Sequence, residues 1–208
     1  MSQGVFISFE GGEGAGKSTQ IRRLADRLSA GGRDVVVTRE PGGSPGAEAI
    51  RDLLVNGSAD RWSPVTESLL MYAARRDHIE RVIRPGLARG AIVLCDRYAD
   101  STRVYQGAGG DAPAGLIAAL EEHVLDGTIP VLTLILDLPA QVGLQRAEAR
   151  GGAARFESKG LAFHERLRAG YLEIARREPE RCVVINADAT LDAVTAAISG
   201  VIVQRLGL

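Results

Sequence analysis

The sequence has little of what marks secreted, membrane or nucleic-acid-binding proteins. Only two cysteines occur among 208 residues, without a Cys-x-x-Cys or histidine pattern, so we expect buried, reduced thiols in the cytoplasm. The formal net charge of −1 offers no basic field for a phosphate backbone, which argues against nucleic acid as a partner. No apolar run approaches the ~18 residues of a membrane span, and the first residues lack the pattern of a secretory signal.

Lysine is almost absent as well. The 25 basic residues comprise 23 arginines and two lysines, Lys17 and Lys159. A lysine retained where arginine is otherwise used is expected to have a role that a planar guanidinium cannot perform. We expect Lys17 to have such a role and Lys159 to be solvated.

Composition and patterning predict one folded α/β domain over residues 1–208. Hydrophobic residues make up 45% and charged residues 25% of the chain, as in ordinary globular proteins. Short apolar runs predict five strands, at residues 5–9, 34–38, 91–95, 131–136 and 183–185, and amphipathic segments separate them. This alternation indicates a three-layer α/β fold, a five-stranded parallel sheet flanked by helices.

A glycine-rich segment between the first strand and the first helix matches the phosphate-loop pattern G-x-x-x-x-G-K-[ST]. Its residues, all candidate ATP contacts, are Gly11, Gly12, Glu13, Gly14, Ala15, Gly16, Lys17 and Ser18. Glycines let successive backbone N–H groups face an anion, and the following helix presents its positive dipole end. Lys17 would follow the transferred phosphoryl group. Ser18, and Asp96 at the end of a later strand, are the candidate Mg²⁺ ligands.

Other phosphate-loop proteins are less consistent with the sequence. GTPases need an N/T-K-x-D element, but Lys159 is preceded by Ser158 and followed by Gly160 and Leu161. Motor ATPases usually end a strand with an Asp-Glu pair, which does not occur here. A small phosphotransferase and a nucleotide-sensing regulatory ATPase remain.

Three arginines indicate a second anion site beside the loop. Arg39 directly follows a predicted strand, Arg97 lies two residues after another, and Arg75 lies on a long predicted helix. Carboxyl ends of parallel strands face the crevice where open α/β sheets bind ligands. A phosphotransferase needs such a site for its acceptor, whereas a regulatory ATPase does not.

The order and spacing of several motifs resemble those of bacterial thymidylate kinases over nearly the whole chain. The motifs are Glu10-Gly11, Gly14-Ala15-Gly16-Lys17-Ser18, residues 38–43, Asp96-Arg97-Tyr98 and Tyr105-Gln106-Gly107. The resemblance implies the three-layer P-loop kinase fold, with its five-stranded parallel sheet, flanking helices and short lid. It also implies a cytoplasmic, homodimeric enzyme that phosphorylates dTMP to dTDP with ATP and Mg²⁺ in dTTP biosynthesis. Another nucleoside monophosphate or deoxynucleoside kinase of the same fold is the nearest alternative.

The same resemblance implies roles for individual residues. Arg39 and Arg97 would hold the dTMP phosphate, and Arg75, with Thr102 beside it, would contact the thymine edge. Tyr105 would crowd the 2′ position of the sugar, while Gln106 would line the acceptor site. Glu13 would contact the sugar of the acceptor or the metal shell.

The family places a catalytic arginine either in the phosphate loop or in a lid. Gly14 occupies the loop position, so the resemblance predicts a lid over about residues 146–159 that supplies the charge. Arg146 lies at its start, and Arg150 and Arg155 are the candidate catalytic arginines. A Gly151-Gly152 hinge suits a lid that closes on ATP.

Two positions depart from the family pattern. Met71 stands where a phenylalanine usually stacks on thymine, so we expect looser discrimination among pyrimidines; alternatively Met71 is core packing and Tyr72 stacks on the base. Ala154 precedes Arg155 where the lid often has an aspartate.

Overall fold

The computed structural model describes residues 4–58, 61–149, 151 and 159–208 of the chain. Five strands form one parallel sheet in the order β2-β3-β1-β4-β5. The strands are β1 Val5–Glu10, β2 Val35–Arg39, β3 Ile92–Asp96, β4 Leu132–Asp137 and β5 Cys182–Asn186. The predicted fold class is therefore confirmed, with strand ends displaced by a residue or so from the expected ones.

Helices cover both faces of the sheet. They are α1 Lys17–Ala30, α2 Pro45–Val55, α3 Pro64–His78, α4 Arg84–Ala88, α5 Ala99–Thr102, α6 Ala114–Leu125, α7 Ala140–Glu148, α8 Leu161–Arg177 and α9 Leu191–Leu206. Because side chains alternate along a strand, Ile7 and Phe9 of β1 pack toward α1 and α9. Phe6 packs on the opposite face, where α3 and α6 lie. No helix within the described ranges is long and apolar enough to cross a membrane.

The long helix predicted to carry Arg75 is not uniform. Ser63 caps α3 by accepting the N–H of Thr66, as expected for a cap followed by proline. The α-helix then ends at His78, and a π-helical turn leads into α4. Pro85 accounts for this change, because it lacks an N–H and its ring clashes with the carbonyl one turn earlier.

The carboxyl ends of the strands form one edge of the sheet. The chain leaves β1 toward β2 on one side and leaves β3 toward β4 on the other. Neighbouring strands with connections in opposite directions open a crevice between their ends, the usual ligand site of such sheets. The predicted phosphate loop and the Asp96-Arg97-Tyr98 segment follow these two strands.

Candidate active site

The phosphate loop joins β1 to α1 and curls around its own backbone. Gly11, Gly14 and Gly16 have φ angles of 129°, 69° and 88°, in a region that side chains disfavour. The Nζ of Lys17 donates to the carbonyl oxygens of Gly11 at 3.1 Å and Gly12 at 3.0 Å. Burial, and then the charge of Arg97, lower the pKa of Lys17 below its ordinary value. The loop thus presents a concave surface with a buried ammonium group beside it.

Gly14 has no room for a side chain. A Cβ atom there would lie 2.1 Å from the carbonyl oxygen of Gly143 on α7, and one on Gly143 would lie 2.4 Å from the oxygen of Glu13. An arginine at position 14 is therefore incompatible with the observed seat of α7.

Ser18 and Asp96 meet at the mouth of the loop. The Ser18 hydroxyl donates to Oδ2 of Asp96 at 2.6 Å, and both residues line a cavity of about 330 Å³ beside the loop. A hydroxyl and a carboxylate are hard oxygen ligands of the kind that Mg²⁺ prefers, and Mg²⁺ normally takes only one or two carboxylates from a protein. The described residues contain no cluster of three or more His, Cys, Asp or Glu side chains able to hold a metal ion.

Arg97 lies between the loop and a second cavity. Its Nη1 donates to the carbonyl oxygen of Gly11 and to the hydroxyl of Tyr171, both at 3.0 Å. Its Nη2 donates to Glu13 at 2.9 Å, and the Tyr105 hydroxyl donates to the same carboxylate oxygen at 2.8 Å. Burial raises the pKa of Glu13, but the charges of Arg97 and Lys17 outweigh it and lower that pKa to about 2. Glu13 is therefore an anion that orients Arg97 and Tyr105.

The second cavity has a volume of about 180 Å³. Most of the residues predicted to bind the acceptor line it together. Its lining comprises Glu13, Glu40, Pro41, Arg51, Val55, Met71, Arg75, Arg97, Tyr98, Ser101, Thr102, Tyr105 and Gln106. The structure thus brings α2, α3, the end of β2 and the segment after β3 around one space.

Arg75 is the buried cation of this cavity, with only 2% of its surface exposed. Its Nε donates to Glu40 at 2.7 Å, and its Nη2 donates to the Thr102 hydroxyl at 3.0 Å and to the Tyr98 carbonyl at 3.1 Å. Nη1 is buried and has no hydrogen-bond partner in the described part of the chain. Burial lowers the pKa of Arg75, but the Glu40 carboxylate more than compensates and raises it above the ordinary value.

Gln106 contributes a second unpaired buried atom. Its Nε2 donates to Glu67 at 2.7 Å. A carboxylate accepts only, so the amide oxygen Oε1 must point the other way, and among the described residues it has no donor. The cavity therefore combines an unused donor on Arg75 with an unused acceptor on Gln106.

The structure distinguishes the two candidate base-covering residues. Met71 lines the cavity, whereas Tyr72 is 1% exposed and belongs to the core. The Arg75 guanidinium lies 4.6 Å from the centre of the Tyr72 ring, and the Tyr72 hydroxyl donates to Glu121. Tyr72 thus supports Arg75 from the core side.

Arg39, which was predicted to bind the acceptor phosphate, does not line this cavity. Arg39 is half-exposed at the end of β2, and its Nη2 donates to both carboxylate oxygens of Glu48, at 3.1 and 3.2 Å. It lines a separate depression with Ser18 and Asp96, so the structure does not bring it to Arg75. Arg150 and Arg155 lie outside the described residues.

Some residues of the site were not predicted from sequence. Arg51 of α2 lines the cavity and donates to the Pro41 carbonyl at 2.7 Å. Glu40 directly follows the β2 strand end, which is a signal that sequence reasoning had available for a site residue. Tyr171 reaches Arg97 from α8, 74 residues away, and no local motif marks it.

Comparisons with known proteins extend over nearly the whole chain. A family model described as thymidylate kinase matches residues 9–198. The chain is 90% identical to the thymidylate kinase of Caulobacter vibrioides over 208 residues, the full length of both proteins. It is 55% identical to that of Nitrobacter winogradskyi over 199 residues, 94% of this chain and 86% of the relative. The crystal structure of thymidylate kinase from Ehrlichia chaffeensis is similar, with a TM-score of 0.79, 34% identity and coverage of 96% and 99% of the two chains.

Proposed function

The chain belongs to the thymidylate kinase family and transfers the γ-phosphoryl group of ATP to dTMP in dTTP biosynthesis, and we propose that the phosphate loop holds ATP while the cavity around Arg75 holds dTMP. The two spaces lie side by side, and Glu13 and Arg97 line both. A phosphoryl group can therefore pass between two bound nucleotides without leaving the crevice.

One observation carries the assignment of the acceptor: the unused buried donor and acceptor in the cavity. Buried polar groups are normally paired, and each unpaired one is costly. Thymine offers a carbonyl oxygen that accepts and, next to it, an imide N–H that donates. Nη1 of Arg75 would donate to the carbonyl, and Oε1 of Gln106 would accept from the N–H. Thr102 fixes Arg75, and Met71 would cover the face of the base.

At the other end of the acceptor, Arg97 would hold the dTMP phosphate. Its guanidinium is fixed by Glu13, Gly11 and Tyr171, so the side chain loses little further conformational entropy when an anion binds. Tyr105, whose ring lies 4.9 Å from that guanidinium, would crowd the 2′ position of the sugar. Arg39 would reach the phosphate only by leaving Glu48.

Catalysis then consists of positioning and charge stabilisation. The attacking oxygen of dTMP is already anionic, so no strong general base is needed. Lys17 would place its ammonium on the transferred phosphoryl group, and the loop N–H groups would hold the neighbouring phosphates. Arg150 and Arg155 would add positive charge from the lid over residues 146–159.

Mg²⁺ is the cofactor that this site fits. Ser18 and Asp96 would hold it, directly or through water, and the ion would neutralise charge on the ATP phosphates.

We also propose a cytoplasmic homodimer. Both cysteines are unpaired thiols, as a reducing compartment favours. The helices α2 and α3 expose Leu53, Val65 and Leu69, which a partner would cover.

Substitution of Arg75 tests the acceptor site. Lysine keeps the charge but cannot make the bidentate contacts of a guanidinium, so Arg75→Lys should raise the KM for dTMP about tenfold or more. The KM for ATP should stay near the wild-type value. The matched control is Arg76→Lys, because Arg76 is the next residue, is only partly buried and pairs with Glu80. Equal KM values for dTMP in both variants would refute the assignment.

A panel of acceptors separates this function from its alternatives. ATP turnover should depend on added monophosphate and should be fastest with dTMP among dTMP, dUMP, UMP, CMP, AMP and GMP. Turnover that ignores monophosphates would indicate a regulatory ATPase. A preference for AMP or GMP would indicate another kinase of this fold.

A further inference from the structure

Glu10 is a fully buried acidic residue for which the mechanism above has no use. It is the last residue of β1, directly before the phosphate loop, and none of its surface is exposed. Within the described chain it lines neither the cavity beside the loop nor the cavity around Arg75. A carboxyl group in such a place is costly to bury unless its oxygens are well paired.

Both oxygens of Glu10 are paired with the segment that follows β3. Oε1 accepts the backbone N–H of Tyr98 at 2.7 Å, and Oε2 accepts the hydroxyl of Ser101 at 2.6 Å. Hydrogen bonds to a carboxylate are short and stronger than those between neutral groups. The Glu10 side chain thus binds the segment after β3 at two residues, Tyr98 and Ser101.

Arg97 directly precedes Tyr98, the first of these two residues. Its φ angle is 69°, a left-handed conformation that residues with a side chain rarely adopt unless their surroundings enforce it. Its own N–H donates to the Phe9 carbonyl at 2.9 Å. The peptides on both sides of the Arg97 Cα atom are therefore fixed to the end of β1, by Phe9 and Glu10.

Ser101, the second residue bound by Glu10, also contacts Arg97. The Ser101 hydroxyl accepts from Nη1 of Arg97 at 3.2 Å and lies 2.8 Å from the hydroxyl of Tyr171. Since Ser101 donates its only proton to Glu10, its oxygen is free to accept from Arg97. Glu10 thereby determines which way this hydroxyl points.

We infer that Glu10 is a positioning residue for dTMP phosphorylation, which holds Arg97 in its left-handed conformation and orients Ser101 so that the guanidinium faces the acceptor phosphate. This inference rests on the proposed role of Arg97 in binding that phosphate. It assigns no contact between Glu10 and either substrate.

Glu10→Gln is the direct test, because glutamine has the same size but one acceptor and one donor at its end. The amide oxygen of glutamine can accept the Tyr98 N–H only if its NH₂ group faces Ser101. The Ser101 hydroxyl can then no longer donate to residue 10. At pH 8, where the Glu10 carboxyl is ionised, we expect the KM for dTMP to rise about tenfold, the effect of losing one charge-assisted hydrogen bond. The KM for ATP should change little, and the melting temperature of the variant should not fall below that of the wild type.

The matched control is Ser8→Ala. Ser8 lies on the same strand and the same face, is equally buried, and bonds to Thr133 at 2.7 Å. Its removal should leave both KM values near wild type. A Glu10→Gln enzyme with the dTMP KM of Ser8→Ala, or with both KM values raised equally alongside a lower melting temperature, would overturn the inference.

Two further variants keep the test decisive. Arg97→Ala should raise the KM for dTMP. If it does not, the proposed role of Arg97 fails and the inference about Glu10 fails with it, whereas a raised KM in Arg97→Ala beside a normal KM in Glu10→Gln overturns the inference about Glu10 alone. If Glu10→Gln does not fold, Ser101→Ala removes one of the two anchored points while leaving the carboxylate. A several-fold rise in the KM for dTMP supports the inference, and an unchanged value overturns it.

Discussion

Gly14 of the phosphate loop and Gly143 of α7 touch backbone to backbone, because a Cβ atom on Gly14 would lie 2.1 Å from the Gly143 carbonyl oxygen. The helix α7 follows β4 and leads toward the segment expected to form the lid. The contact between α7 and the phosphate loop therefore fixes where that segment begins relative to the donor phosphates.

Gly143→Ala should impair ATP binding more than folding. Its methyl group would lie 2.4 Å from the Glu13 carbonyl oxygen, so the loop or the helix must move. We expect the KM for ATP to rise about tenfold, since loop N–H groups that bind phosphate are displaced, with the KM for dTMP changing less. Gly200→Ala is the control, because a Cβ atom there meets nothing within 4 Å and alanine favours the helix. Identical ATP constants for the two variants would show that the contact is unimportant for the loop.

Met71→Phe should tighten the binding of dTMP. Met71 lines the cavity one helical turn before Arg75, and a flat ring would stack on thymine. Stacking is worth about 0.5–1.5 kcal/mol beyond burial, which corresponds to a KM about two- to tenfold lower. Tyr72→Phe, which removes only a hydroxyl bonded to Glu121, should leave the KM for dTMP unchanged. The base contact is misassigned if Tyr72→Phe alters this KM and Met71→Phe does not.

The lid prediction concerns residues outside the described ranges. If the lid supplies catalytic charge, the double variant Arg150→Ala/Arg155→Ala should lose kcat by a factor on the order of 10³, with a smaller rise in the KM for dTMP. Each single variant should lose less if the two share the role. Arg176→Ala serves as a control, since Arg176 is exposed and pairs with Glu173 on α8. A double variant with the wild-type kcat would identify the segment as an ordinary surface loop.

Glu10 should make folding stability depend on pH near neutrality. Burial, reinforced by the charge of Asp100, raises the pKa of Glu10 from 4.5 to about 7. Between these values the folded protein binds a proton that the unfolded chain has released, so the stability due to Glu10 is full below pH 4.5 and falls as the pH rises through 7. The loss is up to about 3 kcal/mol in the free energy of unfolding.

Urea unfolding of the wild type and of Glu10→Gln from pH 5 to 8 measures this effect. The wild type should lose stability relative to the variant as the pH rises, because the glutamine does not titrate. Parallel curves for the two proteins would mean that the Glu10 carboxyl ionises near its ordinary pKa.

The sequence predicted the sheet and the phosphate loop well because both depend on local signals. Apolar runs mark the buried strands. The phosphate loop is a segment of eight consecutive residues, and its backbone conformation requires glycine at particular positions in that segment. The π-helical turn after His78 was missed, since periodicity alone does not show how a helix accommodates Pro85. The direction of Arg39 was also missed, because it is set by Glu48, a partner on the next helix.

The cavity was predicted in part. Arg75, Thr102, Tyr105 and Gln106 were assigned through the resemblance to thymidylate kinases, and the structure brings them together around one space. Glu10 and Tyr171 act on Arg97 through contacts between distant elements, and such contacts follow from the packed fold instead of from a motif.

Transfer of the γ-phosphoryl group in a crevice organised by Lys17 is tested most directly by the rate of dTDP formation from ATP and dTMP in Lys17→Ala. The chain offers a matched control in Lys159→Ala, its only other lysine. We predict that folded Lys17→Ala loses turnover by at least ~10³, because a charge on the transferred group is removed, while Lys159→Ala remains near wild type. A folded Lys17→Ala enzyme that forms dTDP at the rate of Lys159→Ala would contradict the account.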